Sequence, residues 1–146
     1  MWQSMFFGGL PRRGKTFAQR LPSAAGVLDA YVRHWYAGNW SDVAALYHVP
    51  SITVRGDGSV HSFQSAKELQ QFFHGVGASY GKEGELGPGR YHSLTTQPIG
   101  ARSLLATLTW QMVRKDGSVV REWRQSYNLV RTDGRWQILA ATLHLD

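Results

Sequence analysis

The stretch Ala101–Asp146, ARSLLATLTWQMVRKDGSVVREWRQSYNLVRTDGRWQILAATLHLD, predicts three long β-strands joined by two tight turns. The turns are predicted at Asp116-Gly117 and Thr132-Asp133-Gly134, because glycine adopts positive φ without steric cost. The predicted strands cover residues 102–115, 118–131 and 135–145, and at 11 to 14 residues they exceed the usual length of about 5–6. Strands that long twist, so we expect a strongly bent antiparallel sheet with one concave face.

Length and composition limit the function classes open to this chain. Its 146 residues suffice for one domain with a substantial core. The absence of cysteine excludes a disulfide framework and a thiolate zinc site, and no run approaches the roughly 18 apolar residues of a membrane helix. The net charge of +6 is concentrated only in the first 20 residues, which hold four Lys or Arg and no acid. We therefore predict a cytoplasmic protein with no specific nucleic-acid partner and no membrane partner.

Residues 1–22, MWQSMFFGGLPRRGKTFAQRLP, differ in composition from the rest of the chain. They are basic and are broken by glycine and proline, so we predict a disordered or loosely docked leader, with a transit peptide or an upstream start as alternatives. Gly9–Thr16 matches the phosphate-loop pattern G-x-x-x-x-G-K-[ST]. That loop needs a buried strand before it and a helix after it, in a parallel β/α series that this sequence lacks. We therefore expect no phosphate loop and assign the folded domain to residues 23–146.

The segment between the leader and the long sheet predicts three helices. Apolar residues recur every three to four positions in the first and third helices. The third helix also opens with a capping box, Ser65-Ala-Lys-Glu68. This order predicts an α+β domain with its helices on one side of the sheet. The predicted elements are helices over 23–37, 41–47 and from 66, a hairpin over 51–63, a flexible loop over 77–90 and a strand over 91–99.

The segment Tyr31–Tyr47, YVRHWYAGNWSDVAALY, carries the most specific resemblance to a known family. The chain resembles the NTF2-like superfamily, the fold of ketosteroid isomerases and SnoaL-like polyketide cyclases, over about residues 24–145. The resemblance implies a cone-shaped, curved antiparallel sheet with three N-terminal helices packed in its concave face. It also implies an oxyanion-hole role for Tyr31, a helix-ending role for Gly38 and a supporting role for Tyr47. Because this fold hosts many functions, the chemistry must come from the site.

The site departs from the isomerase pattern at two of its three functional positions. Arg55 stands where the resemblance implies a general-base aspartate, and a guanidinium cannot accept a proton at neutral pH. The second acid corresponds to Ser126, or to Tyr127 if the last hairpin carries a bulge. Only Tyr31 keeps its implied role, so steroid isomerisation by that mechanism is not expected.

The strand register decides which side chains line the pocket, and two registers remain open. Family spacing places Leu105, Thr107, Thr109, Gln111, Val113, Leu139, Ala141 and Leu143 inward, together with Glu122, Arg124, Ser126 and Asn128 of the middle strand. A one-residue bulge would replace the last four with Arg121, Trp123, Gln125 and Tyr127.

In either register an arginine and hydrogen-bonding groups project into a partly apolar cavity beside Tyr31 and Arg55. Two guanidinium groups suit an anionic or carbonyl-bearing small molecule. The histidines lack metal-ligand spacing, so we predict no metal and no cofactor, and we take His61 as the best candidate base. The catalytic candidates are Tyr31, Arg55 and His61, and the ligand-binding candidates are Trp35, Thr109, Gln111, Arg124, Ser126, Tyr127, Asn128 and Leu143.

We expect a small-molecule pocket, with three classes of function open. A carboxylate or histidine within reach of Tyr31 or Arg55 would favour an enzyme: an isomerase, cyclase, dehydratase or hydrolase. A pocket with only arginine, tyrosine and amides would favour non-catalytic binding, and a filled cavity would favour a protein-interaction domain.

The face opposite the family-assigned cavity is also apolar, which predicts a homodimer joined through Trp110 and Trp136. An exposed patch of that kind usually marks an interface. The residues expected there are Leu104, Ala106, Leu108, Trp110, Met112, Trp136, Ile138 and Ala140.

Overall fold

A computed structural model describes the backbone of residues 22–144 and the side chains of residues 24–144. Residues 1–21 lie outside the described residues. They include nearly all of the predicted leader and its Gly9–Thr16 phosphate-loop match, so the predictions made for this segment stay predictions. Within the described residues, no helix is long and apolar enough to cross a membrane.

Three helices precede the long strands: α1 (Pro22–Ala37), α2 (Trp40–Ala45) and α3 (Ala66–Tyr80). Gly38 ends α1 with a φ of 71°, a conformation that glycine adopts without strain. The capping box of α3 is confirmed, since the Ser65 hydroxyl accepts a hydrogen bond from the Glu68 amide at 3.2 Å. The prediction that the second helix reaches Tyr47 is wrong, because that residue begins a strand.

The six strands form one sheet in the order β2-β1-β6-β5-β4-β3. Neighbouring strands are antiparallel except β1 and β6, which run parallel. A short 3₁₀ turn, Gly81–Glu83, follows α3. The predicted α+β class with a curved sheet is confirmed. The strands are β1 (Tyr47–Val54), β2 (Val60–Phe63), β3 (Arg90–Pro98), β4 (Ser103–Val113), β5 (Val119–Thr132) and β6 (Arg135–Leu143).

The helices cover the face of the sheet that carries the even-numbered residues of β4, so the inward face that family spacing assigned to β4 and β5 is wrong. On β5, Val120 is left unpaired between the pairs Met112–Arg121 and Val113–Val119. A bulge of one residue shifts the pairing of the rest of the strand, and after it the odd-numbered residues of β5 share the inner face with the even-numbered residues of β4. The sheet residues of the core are Leu104, Ala106, Leu108, Trp110, Tyr127, Leu129, Ile138 and Ala141.

The placement of Trp110 and Trp136 on an outer face is also wrong. Trp110 is 5% exposed and its ring lies 5.6 Å from that of Tyr31 in α1. Trp136 is half-buried and packs against the same core. Hydrophobic burial explains this arrangement, because the more apolar face of β4 is the one that the helices cover. The homodimer itself stays a prediction, without these two residues as its basis.

Candidate functional site

A cavity of about 640 Å³ lies between the helices and the concave face of the sheet. Its walls come from all three helices, from the glycine-rich segment after α3 and from strands β1, β4, β5 and β6. Aromatic residues are the largest group in the wall. The aromatic lining residues are Tyr31, Trp35, Tyr36, Trp40, Tyr47, Phe72, Phe73, Tyr80, Trp110 and Trp123.

The aromatic rings brace one another around Trp35 of α1. The Trp35 ring meets Trp40 edge-to-face at 5.2 Å and Phe73 at 5.7 Å, and it stacks on Tyr31 at 5.5 Å. Such pairs contribute about 0.5–1.5 kcal/mol each beyond the area that they bury. Because the rings hold each other in place, the cavity is formed before any ligand arrives.

Tyr31 presents a neutral phenol to this cavity. Burial raises the pKa of Tyr31 well above its usual value, and the nearby phenols of Tyr47 and Tyr127 raise it further. Burial also raises the pKa of Tyr47, with a partial offset from its contact with Tyr31. At neutral pH Tyr31 is therefore a hydrogen-bond donor and cannot act as a base.

Tyr127 faces inward but lies in the core beneath the cavity. Its hydroxyl accepts a hydrogen bond of 2.8 Å from the indole nitrogen of Trp110, which lines the cavity above it. Burial raises the pKa of Tyr127 well above its usual value. Tyr127 therefore supports the cavity wall and is not among the lining residues.

Arg55 is the one charged side chain among the described residues that line the cavity. It follows the last residue of β1, and its guanidinium carbon lies 5.7 Å from the centre of the Phe72 ring. His61, in β2, lies nearby but outside the lining: its ring stacks on Phe63 at 4.5 Å and lies 5.3 Å from Phe72. The structure thus places Tyr31 and Arg55 at one cavity and His61 beside its rim.

Four of the ligand-binding candidates lie on the opposite, convex face of the sheet. Thr109 Oγ1 accepts a hydrogen bond of 3.3 Å from Arg124, and the Ser126 hydroxyl lies 2.8 Å from Nε2 of His144. Asn128 Nδ2 donates to the Ser103 hydroxyl at 2.9 Å. These side chains satisfy one another across the strands and do not reach the cavity, because the register described above turns them outward.

The remaining candidates, Trp35, Gln111 and Leu143, do line the cavity. The side-chain amide of Gln111 is already engaged, since it accepts from Arg90 at 2.7 Å and donates to Glu122 at 2.6 Å. The hydrogen bond from Gln111, followed by that from His92, lowers the pKa of Glu122. Gln111 is therefore a poor partner for a ligand, whereas Leu143 adds apolar surface.

Gln125 is a polar lining residue that was not among the ligand-binding candidates. Sequence reasoning placed it inward only in the alternative register with a bulge. It is 9% exposed, and its Oε1 accepts a hydrogen bond of 2.9 Å from the indole nitrogen of Trp123. Its Nε2 makes no hydrogen bond to the described residues. A carbonyl or anionic oxygen in the cavity is the natural acceptor for this amide.

Residues 23–146 match the family described as NTF2-like protein (DUF6841). The chain belongs to this NTF2-like family. No curated protein sequence matches the chain.

Solved structures share the NTF2-like fold at low sequence identity. A domain of unknown function with a cystatin-like fold from Nostoc punctiforme is 15% identical with a TM-score of 0.69, covering 90% of this chain and 80% of its own. Aln2 from a Streptomyces species is 12% identical with a TM-score of 0.69, over 94% and 95% of the two chains. An NTF2-like protein from Novosphingobium aromaticivorans is 12% identical with a TM-score of 0.67, over 88% and 82%. At such identities the likeness extends to the fold alone.

Sequence reasoning missed most of the aromatic wall of this NTF2-like domain. Trp110 and Met112 were visible as part of an apolar face, but that face was assigned to a dimer interface. The apolar count of the two faces of β4 would have identified the inner one. Trp40, Phe72 and Tyr80 come from helices whose inward face points into the cavity rather than into the closed core, and no local pattern distinguishes the two.

The lining of the NTF2-like cavity favours binding over proton transfer. Among the described lining residues none is a carboxylate or an imidazole. The polar lining residues are neutral apart from Arg55. They are Tyr31, Tyr36, Tyr47, Thr53, Tyr80, Gln111 and Gln125. No group of three or more His, Asp or Glu within residues 22–144 could hold a metal ion.

Proposed function

We propose that this NTF2-like domain binds, without transforming it, a flat or rod-shaped aromatic compound that carries an anionic or carbonyl oxygen. The observation that carries the proposal is the lining: aromatic walls with one guanidinium, that of Arg55. A volume of about 640 Å³ falls within the range of small-molecule sites, roughly 300–1,000 Å³. Stacking on the rings supplies affinity, and the oxygen is fixed by Arg55.

The polar groups support this ligand chemistry over a cationic ligand. An aromatic cage suits an ammonium group only where its charge is not repelled. Here Arg55 lies at the rim, and no described lining residue carries a negative charge. Arg55 N–H, Gln125 Nε2 and the neutral Tyr31 phenol are all donors, so the matching group on the ligand is an acceptor.

A catalytic role and a protein-interaction role have less support. An isomerase, cyclase, dehydratase or hydrolase needs a base, and the three candidates supply a neutral phenol, a guanidinium and a histidine outside the cavity lining. A protein-interaction domain would fill this space with its own side chains.

The test compares biphenyl-4-sulfonate with its uncharged analogue biphenyl-4-sulfonamide by isothermal titration calorimetry. We expect the wild type to bind the sulfonate about tenfold more tightly, since a charge-assisted contact contributes roughly 1.5 kcal/mol. In Arg55→Gln that preference should fall well below tenfold while sulfonamide binding persists, because the aromatic walls are intact.

Arg124→Gln provides the matched control, because it removes the same charge from the convex face. It should leave the affinity for both compounds within about twofold of wild type. No measurable binding of biphenyl-4-sulfonate to the wild type would refute the proposed function. An equal loss in both variants would show that Arg55 acts only through overall charge.

A further inference from the structure

A second arginine, Arg121 of β5, is not a lining residue but lies against residues that line the cavity. Its guanidinium carbon is 5.5 Å from the centre of the Tyr80 ring and 5.9 Å from that of Trp123. Its terminal nitrogen lies 4.0 Å from the sulfur of Met112. Tyr80, Trp123 and Met112 all line the cavity, so Arg121 is fixed at its rim.

The N–H groups of Arg121 are left available by this arrangement. Rings hold the flat face of a guanidinium, and its donors point outward from its edge. The one hydrogen-bond partner given by the described residues is the Met112 thioether, which is a weak acceptor. No carboxylate of the described residues lies within 4.0 Å of Arg121 or of Arg55, and the adjacent Glu122 pairs with His92 on the convex side.

The two arginines lie at different ends of the cavity. The strand register places Arg55 level with Leu143 of β6, which in turn pairs with Gln125 of β5. Arg121 lies on β5 as well, four residues before Gln125. At about 3.4 Å per residue and about 4.8 Å per strand, their Cα atoms are roughly 17 Å apart. Both guanidinium groups rest on cavity-lining rings, so the gap between the charges is an aromatic-walled trough.

We propose that the ligand is a dianion: an elongated aromatic compound with an acidic group at each end, one held by Arg55 and the other by Arg121. This inference rests on the proposed function and names its ligand class. Two separated guanidinium groups with aromatic surface between them match two acids joined by an apolar body. A ligand with a single acid leaves one of the two arginines without an anionic partner.

The test adds biphenyl-4,4′-disulfonate to the titrations. A symmetric ligand can enter in two orientations, which alone improves its affinity twofold. We expect the wild type to bind the disulfonate about tenfold more tightly than biphenyl-4-sulfonate, since a second charge-assisted contact is made. In Arg121→Gln the advantage should fall to twofold, while binding of the monosulfonate through Arg55 stays within about threefold of wild type.

Two further variants separate a specific contact from general charge and from misfolding. Arg124→Gln lies on the same strand but on the convex face, and it should keep the tenfold advantage. Arg121→Lys keeps the charge without the planar fork and should keep part of it. A disulfonate advantage of twofold or less in the wild type, or one that survives in Arg121→Gln, would overturn the dianion inference while leaving the monosulfonate result intact. If the wild type does not bind the monosulfonate, the proposed function and this inference both fail.

Discussion

At the scale of single residues, the environment of a side chain decides what it can do here. The family resemblance implied an oxyanion-hole role for Tyr31, and this residue does line the cavity. Its raised pKa keeps the phenol protonated at neutral pH. Arg55, which lines the same cavity, is a donor as well, so the two residues together offer hydrogen bonds and accept no proton.

The buried phenols predict a loss of stability at alkaline pH. Burial raises the pKa of Tyr31, Tyr47 and Tyr127, so the neutral forms are favoured in the folded state. Their stabilising effect is complete below the unfolded pKa of about 10 and is lost as pH rises above it, by up to about 1.4 kcal/mol per pH unit for each group. Denaturant unfolding at pH 9, 10 and 11 should show this decline, with phenolate absorbance appearing as the protein unfolds.

Tyr127→Phe is the control for this prediction, because it removes one of the phenols with a raised pKa. The dependence of stability on pH above 10 should become less steep by about a fifth, because the pKa values of Tyr80 and Tyr91 are raised as well. If all six tyrosines ionise near pH 10 with the far-ultraviolet circular dichroism unchanged, the phenols are not held in the neutral form as the structure requires.

Residue types in the site were only partly predictable from sequence. Helical periodicity in α1 predicted which side of the helix Tyr31 and Trp35 occupy. Hairpin spacing did the same for Arg55, which follows β1. Arg124, Ser126 and Asn128 were placed inward by family spacing. They do pair with Thr109, Thr107 and Leu105 of β4 as that spacing implies, but this shared face is the outer one. Pairing between strands therefore followed from the spacing, whereas the face that the helices cover did not.

At the scale of elements, the tight turns and the capping box were readable because their signals are local. Gly117 and Gly134 adopt φ values of 90° and 76°, as the hairpin signals indicated. The parallel pairing of β1 with β6 joins segments about ninety residues apart, and nothing in either segment specifies it. Local chemistry therefore predicted the hairpins, and the non-local contact had to come from the structure.

Helix α3 depends on the absence of a side chain at Gly77. A Cβ there would lie 2.5 Å from Cη2 of Trp40, whose ring also contacts Trp35. At Gly75 of the same helix a Cβ would meet nothing within 4 Å. Alanine favours a helix over glycine by about 0.8–1.0 kcal/mol, so Gly75→Ala should stabilise the domain by roughly that amount.

Gly77→Ala should instead be at least about 1 kcal/mol less stable than Gly75→Ala, because Trp40 must move. Trp40 lines the cavity, so its displacement should also weaken binding of biphenyl-4-sulfonate. Chemical denaturation of both variants provides the comparison. Equal stabilisation by the two substitutions would mean that α3 and α2 do not pack as closely as described.

At the scale of the whole molecule, the assignment of faces determines how the chain could associate. The inner face holds Trp110, and the outer face carries the hydroxyl, amide and charged side chains that hydrogen-bond between β4 and β5. Both faces of β4 contain apolar residues, and family spacing ranked them wrongly although the even-numbered face holds more of them. The predicted homodimer must therefore use outer residues such as Leu105, which is 39% exposed.

The substitution Trp110→Arg tests this assignment of faces directly. Trp110 is 5% exposed, donates to Tyr127 at 2.8 Å and contacts the rings of Tyr31 and Tyr91 at 5.6 and 5.4 Å. The variant would lose these contacts and bury a charge, which should cost at least about 3 kcal/mol of folding stability. Leu105→Arg, on the outer face of the same strand, should change stability by less than about 1 kcal/mol.

Sedimentation at about 50 μM then measures the oligomeric state of both variants, and only Leu105→Arg should convert a dimeric wild type into a folded monomer. A well-folded, monomeric Trp110→Arg protein would instead mean that this indole lies on the outer face.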